Sequence, residues 1–89
     1  MTTQFITEYL DNKIAKDENF ITCSFFDLKV KYNFNEDEIN RFLELAKIRL
    51  ENLNYQVYFT GDKYTYEDTL KTVEPNQLMV AIKKGENNV

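Results

Sequence analysis

The sequence predicts a small α+β domain, and three observations carry that prediction. A helical apolar stripe opens the chain, a second and sharply capped stripe fills its middle, and alternating aromatic segments dominate its last third. With 89 residues, 43% hydrophobic and 15% aromatic content, the chain suits one packed domain, burying about 60–65% of the surface its unfolded form exposes. The domain is expected to span residues 1–84, with 85–89 a polar, flexible tail.

The first helix is expected over 4–16, because Phe5, Ile6, Tyr9, Leu10 and Ile14 share one face and Thr2 or Thr3 can cap it. "FITC" (20–23) is short, apolar and β-prone, a candidate strand. Ser24 stands three residues before Asp27, a variant of the capping box, ahead of a second helix over 25–32. Phe25, Phe26, Leu28, Val30 and Tyr32 make that helix apolar on so much of its surface that it should be covered on more than one side.

The sharpest local signal follows. Asn35 and Glu38 form a capping box, Phe34 and Ile39 a hydrophobic staple. Ile39, Phe42, Leu43, Ala46, Leu50 and Leu53 then recur at helical spacing, and Asn54 suits a left-handed residue just past the end. A third helix over 36–53 follows, separated from the second by only "NFN" (33–35), a helix-turn-helix pattern.

"YQVYF" (55–59) and "KYTY" (63–66) alternate on either side of a Gly61-Asp62 bend, and "EDT" (67–69) is the expected turn. The return arm passes Pro75, a bulge or edge signal, and ends as "QLMVAI" (77–82). Tyr55, Val57 and Phe59 opposite Val80 and Ile82 are expected to cover the first and third helices. Tyr64 and Tyr66 lie beyond the bend, either paired across the hairpin or turned to a partner.

Charge and composition narrow the function classes. Eleven basic against fifteen acidic residues give −4, which does not announce nucleic-acid binding. With no histidine, Ser–His and Cys–His nucleophiles and histidine metal sites are excluded. The single cysteine, Cys23, reads as a core thiol. No phosphate-binding glycine loop occurs, and the carboxylate spacing specifies no acid–base pair. The chain is therefore expected to be no enzyme, with no catalytic or metal residues and no cofactor. No apolar run approaches a membrane span and no apolar signal segment opens the chain, so a cytoplasmic location is expected. The wealth of Asn, Lys, Ile, Phe and Tyr suggests an AT-rich coding sequence from a bacterial or mobile-element source.

Over residues 4–83 this order and these lengths resemble the winged helix-turn-helix family. The resemblance rests on element order and not on a residue signature. It implies that the third helix is a recognition helix and the hairpin a wing, and that the chain binds duplex DNA, often as a dimer. A plasmid or phage accessory factor in transfer, partition or transcription control fits that size. The alternative within the same fold is a protein-interaction module or inhibitor that never meets DNA.

Under the DNA expectation, Asn40, Arg41 and Lys47 on the outer face of the third helix suit base reading. Lys29, Lys31, Lys63 and Lys71, with Tyr64 beside them, are candidate backbone contacts. Glu36 and Asp37 would repel phosphate at the same helix's start, where they instead complement its dipole. Leu45 and Ile48 lie away from the core stripe, and so mark an expected homodimer seam.

Overall fold

The computed structural model describes residues 3–66 and 69–84. Helix α1 (Thr3–Lys16) leads into strand β1 (Phe20–Ser24), a π-helical turn (Phe26–Lys31) and helix α2 (Glu36–Asn52). Strands β2 (Tyr55–Phe59), β3 (Lys63–Tyr66), β4 (Thr69–Thr72) and β5 (Gln77–Lys83) complete the chain. β1, β5 and β2 form a three-stranded antiparallel sheet in that order, and β3 with β4 a separate two-stranded ladder. The mixed α+β class is as the sequence predicts. Thr3 already belongs to α1, whereas Thr2, most of the expected 67–69 turn and the 85–89 tail lie outside the described residues.

α2 forms where its caps dictate. The Asn35 side chain accepts the Glu38 N–H at 2.8 Å, and the Glu38 carboxylate accepts the Asn35 N–H at 2.9 Å. Asn54, at φ 72°, turns the chain left-handed after Leu53 and sends it back as β2. Ile39, Phe42, Ala46 and Leu50 are buried as their spacing requires, but Leu53 is half-exposed beyond the last helical residue.

The sheet's inner face carries Ile21, Cys23, Tyr55, Val57, Met79 and Ala81 against the helices. α1 packs on β1 and α2 chiefly on β2. Phe5, Tyr9, Tyr32, Phe34 and Phe42 close the helical side as an edge-to-face cluster, with Tyr9 and Phe42 centroids 5.3 Å apart. The Tyr55 hydroxyl donates to the Glu18 carbonyl at 2.6 Å, tying the start of β2 to the loop before β1.

Three expectations are corrected. The second helix, expected over 25–32, is a six-residue π-helical turn with one buried residue, Leu28. Phe26 and Val30 are 62% and 60% exposed and Phe25 is also exposed, so the segment is not covered on several sides. Ser24 Oγ does accept the Asp27 N–H at 3.1 Å, but the Asp27 carboxylate turns to Tyr9 and Lys13 instead of closing a box.

The parity of β5 is the second correction. Val57 pairs with Ala81 and Phe59 with Met79, so Met79 and Ala81 face the helices. Val80 and Ile82 face the opposite side, where Val80 is nonetheless fully buried.

The course of β3 and β4 is the third. Gly61 takes φ 92°, a conformation that favours glycine, and the chain turns sharply over Phe59–Asp62. Val73 closes the corner, donating to the Asp62 carbonyl at 3.0 Å and accepting from the Gly61 N–H at 3.1 Å. β3 and β4 thereby fold back over the sheet's outer face. Tyr64, only 7% exposed, packs with Val73 and Val80, its ring 6.1 Å from those of Phe20 and Tyr58. Pro75 sits in the Glu74–Gln77 turn before β5, and a register shift falls beyond it, where Cys23 pairs with Met79 and Ser24 with Gln77.

Candidate interaction surface

Exposed polar residues of α2 and the neighbouring end of the sheet enclose a groove on the helical side. Asp37, Asn40, Arg41 and Glu44 form one wall, Leu43 and Phe59 the floor, and Thr60 and Leu78 the other wall, around 770 Å³. The geometry follows from the local sequence. α2 runs toward the Asn54 corner and β2 returns beneath it, so Phe59 at the end of β2 lies under the first half of α2. Thr60 Oγ1 donates to the Gln77 carbonyl at 3.0 Å, holding that end of the sheet closed.

The sequence-predicted residues divide into groups that the fold does not join. Asn40 and Arg41 are exposed on the groove wall, and no side-chain hydrogen bond or ion pair engages either among the described residues. Lys47 is half-buried about two turns further on and pairs with Glu51 at 3.3 Å. Lys29 and Lys31 are exposed on the π-helical turn, Lys31 with its ammonium 5.6 Å from the Tyr32 ring centroid.

The residues of β3 and β4 separate further. Tyr64 pairs with Lys71 across the ladder, so both point to one side, while Lys63, one residue earlier, points to the other. Lys71 lines a hollow with Asp17 and Phe20 on the sheet's outer side. Tyr64 is core and not an exposed contact, which overturns its expected place at the tip. Lys63 and Lys71 are exposed but face opposite ways, and both lie across the sheet from α2.

Leu45 and Ile48 fall on a third surface. Ile48 is 54% exposed, whereas Leu45 is half-buried and packs against the core. With Ile6 and Leu53 they line an apolar hollow of 260 Å³ between α1 and α2. Arg49 beside it reaches Asp11 of α1 at 3.4 Å.

A cleft of 640 Å³ between α1 and the π-helical turn holds a polar group that the sequence did not single out. The Tyr9 hydroxyl donates to Asp27 Oδ2 at 3.0 Å, and Lys13 Nζ lies 3.5 Å from the same oxygen. Burial pushes the Cys23 thiol up to about 12, against the pull of Lys13. A thiol so protonated is no nucleophile near neutral pH. The only hint in the sequence was Ser24 and Asp27 at capping spacing.

Among the described residues no group of three or more His, Cys, Asp or Glu side chains is placed to hold a metal ion. No helix among them is long and apolar enough to cross a membrane. No protein-family model matches the chain, and no curated protein or solved structure matches it.

Proposed function

We propose that the chain is a winged-helix protein-interaction module that binds its partner in the groove between α2 and the end of β2. Support for the winged-helix arrangement comes from the element order and from a sheet ordered β1, β5, β2, with a hairpin emerging between its last two strands. One observation carries the protein reading: the groove sets Asp37 and Glu44 against Arg41 over an apolar floor of Leu43 and Phe59. Such a surface suits a protein segment with apolar and charged side chains, and it repels a phosphate backbone. The folded-back wing adds no cation on that side of the sheet.

Duplex DNA binding is the second reading, and Asn40 with Arg41 favours it. Both side chains are exposed, adjacent and unengaged among the described residues, and Lys29 and Lys31 stand on the preceding turn. Arg pairs with guanine and Asn with adenine in the major groove. A plasmid or phage regulatory role would follow from that reading.

An electrophoretic shift assay against random-sequence duplex at two salt concentrations separates the two. The module reading expects no shift at either. A shift at low salt that weakens steeply with salt, and loses sequence preference in Arg41→Ala, would establish DNA binding in its place. A photo-crosslinker at Asn40 supplies the positive arm, with a defined protein adduct expected there and none from the same group at Lys16.

A further inference from the structure

We infer that the outer face of the π-helical turn is a docking surface of its own, and that its occupant is an acidic amphipathic helix of a partner protein. The surface shares no residue with the α2 groove and does not depend on what that groove binds.

The face is apolar where the fold leaves it bare. Phe25, Phe26 and Val30 are 45%, 62% and 60% exposed, three of the six large hydrophobics exposed among the described residues. Apolar residues scattered singly over a surface need no explanation, whereas three gathered on one face mark a contact site. The winding of the turn gathers them. Val30 follows Phe25 by five positions and Phe26 by four, so in a turn closed by i→i+5 bonds it stands between the two rings. The same winding sets Lys29 beside Phe25 and Lys31 beside Phe26, one cation on each flank of the strip.

The strip is held from behind. The Phe25 N–H donates to the Asn76 carbonyl at 2.9 Å, the Tyr32 N–H to the Asp27 carbonyl at 2.9 Å, and the Phe34 N–H to the Leu28 carbonyl at 2.8 Å. Leu28 is fully buried, and the Asp27 carboxylate turns inward to Tyr9 and Lys13. Little ordering of this segment is left for a partner to impose.

Charge names the occupant. Lys29 and Lys31 are exposed, and neither forms an ion pair among the described residues. An apolar strip between two cations complements an apolar stripe between carboxylates. A helix supplies that pattern from apolar residues one turn apart with Asp or Glu beside them. Strip-on-strip pairing of two copies would instead set these lysines against each other. An anionic bilayer is disfavoured by the net charge of −4 and by Glu36 and Asp37, exposed at the start of α2. Two lysines also fall short of the roughly 4–8 basic residues that make a lipid-binding cluster.

The test uses the full chain, labelled with ¹⁵N, and two helical peptides, each with a leucine stripe, flanked in one by glutamate and in the other by lysine. The glutamate peptide is expected to shift the Phe26, Lys29 and Val30 amides, and the lysine peptide to bind at least about threefold more weakly. Phe26→Ser with Val30→Ser should weaken the glutamate peptide at least about tenfold. The urea midpoint should not move, because both side chains are exposed. Lys29→Glu with Lys31→Glu should reverse the preference between the peptides.

No shift with the glutamate peptide at millimolar concentration overturns the inference. Shifts confined to Asn40, Arg41 and Glu44 overturn it too, placing the peptide in the α2 groove and leaving the module reading standing. Equal binding of both peptides would overturn the acidic partner. Shifts of the same amides on dilution of the protein alone would assign the strip to a second copy. Shifts with phosphatidylserine vesicles but with neither peptide would assign it to a bilayer. If a random duplex moves Lys29 and Lys31 while both peptides are silent, the module reading falls with it.

Discussion

The Tyr9 hydroxyl donates a hydrogen bond to Oδ2 of Asp27 across 3.0 Å, joining the middle of α1 to the π-helical turn. The same oxygen lies 3.5 Å from Lys13 Nζ, so the hydrogen bond and the ion pair share one acceptor. Tyr9→Phe keeps the ring in its aromatic cluster and removes only the bond. The variant should lose about 1–3 kcal/mol, measured by urea unfolding. A loss under about 0.5 kcal/mol would mean that water satisfies Asp27 equally well.

Stability should fall in alkali because of the groups beneath that bond. Burial raises the Cys23 thiol from 9.0 to about 12. Burial also holds the Tyr9 hydroxyl above its usual range, reinforced by Cys23 and Asp27. Above pH 9 the unfolded chain releases a thiol proton that the folded chain keeps, so rising pH favours unfolding. The contribution is complete below pH 9 and is lost toward pH 12, at up to ~1.4 kcal/mol per pH unit for each such group. Urea midpoints should be level from pH 7 to 8.5, decline above 9, and decline less steeply in Cys23→Ala. A level profile to pH 11 would show that the thiol meets solvent.

What the sequence disclosed and what it withheld divide along physical lines. α2 was legible because its signals are local: Asn35 and Glu38 cap each other within one turn, and Asn54 supplies the left-handed exit. The groove's Asn40 and Arg41 followed from helical phase alone. The parity of β5 was not legible, because both its faces are apolar: Met79 and Ala81 meet helices, and Val80 and Ile82 meet Tyr64 and Val73. Alternation then leaves no polar face to mark the outside. The π-helical turn misled because Phe25, Phe26 and Val30 are apolar yet exposed, and apolar character does not by itself imply burial. The fate of Tyr64 depended on which way Gly61 bends the hairpin. Contacts with Phe20 and Val80, distant in sequence, decide that direction.

Phe42 is fully buried on α2 and touches the aromatic cluster from both α1 and the loop before it. Phe42→Ala should cost about 3–5 kcal/mol, a large part of the stability of so small a domain. A melting temperature within a degree of wild type would contradict its place at the centre of the core.

Two-fold pairing through the α1–α2 hollow is the proposal that Ile48 motivates. Its side chain and that of Leu53 leave apolar surface open beside Arg49. Sedimentation at micromolar concentration should report a dimer, and Ile48→Glu should return it to the 10.6 kDa monomer. A clean monomer for the unsubstituted chain would remove the pairing. A dimer untouched by Ile48→Glu would move the seam elsewhere.

The β3–β4 ladder yields the last prediction, because stability and binding part company there. Tyr64 seals the sheet's outer face on Val80 and Val73, so Tyr64→Ala should destabilise the domain by about 3 kcal/mol. Lys63→Ala and Lys71→Ala should each stay within about 0.5 kcal/mol, since both side chains are exposed. Their opposite directions also set a ceiling for the DNA reading. One duplex cannot lie against both faces of a two-stranded ladder, so the double variant can lose no more than one backbone contact from the wing. Its salt slope should therefore change by at most about 0.9. A change near twice that value, with stability intact, would contradict the opposite directions that the register gives the two lysines.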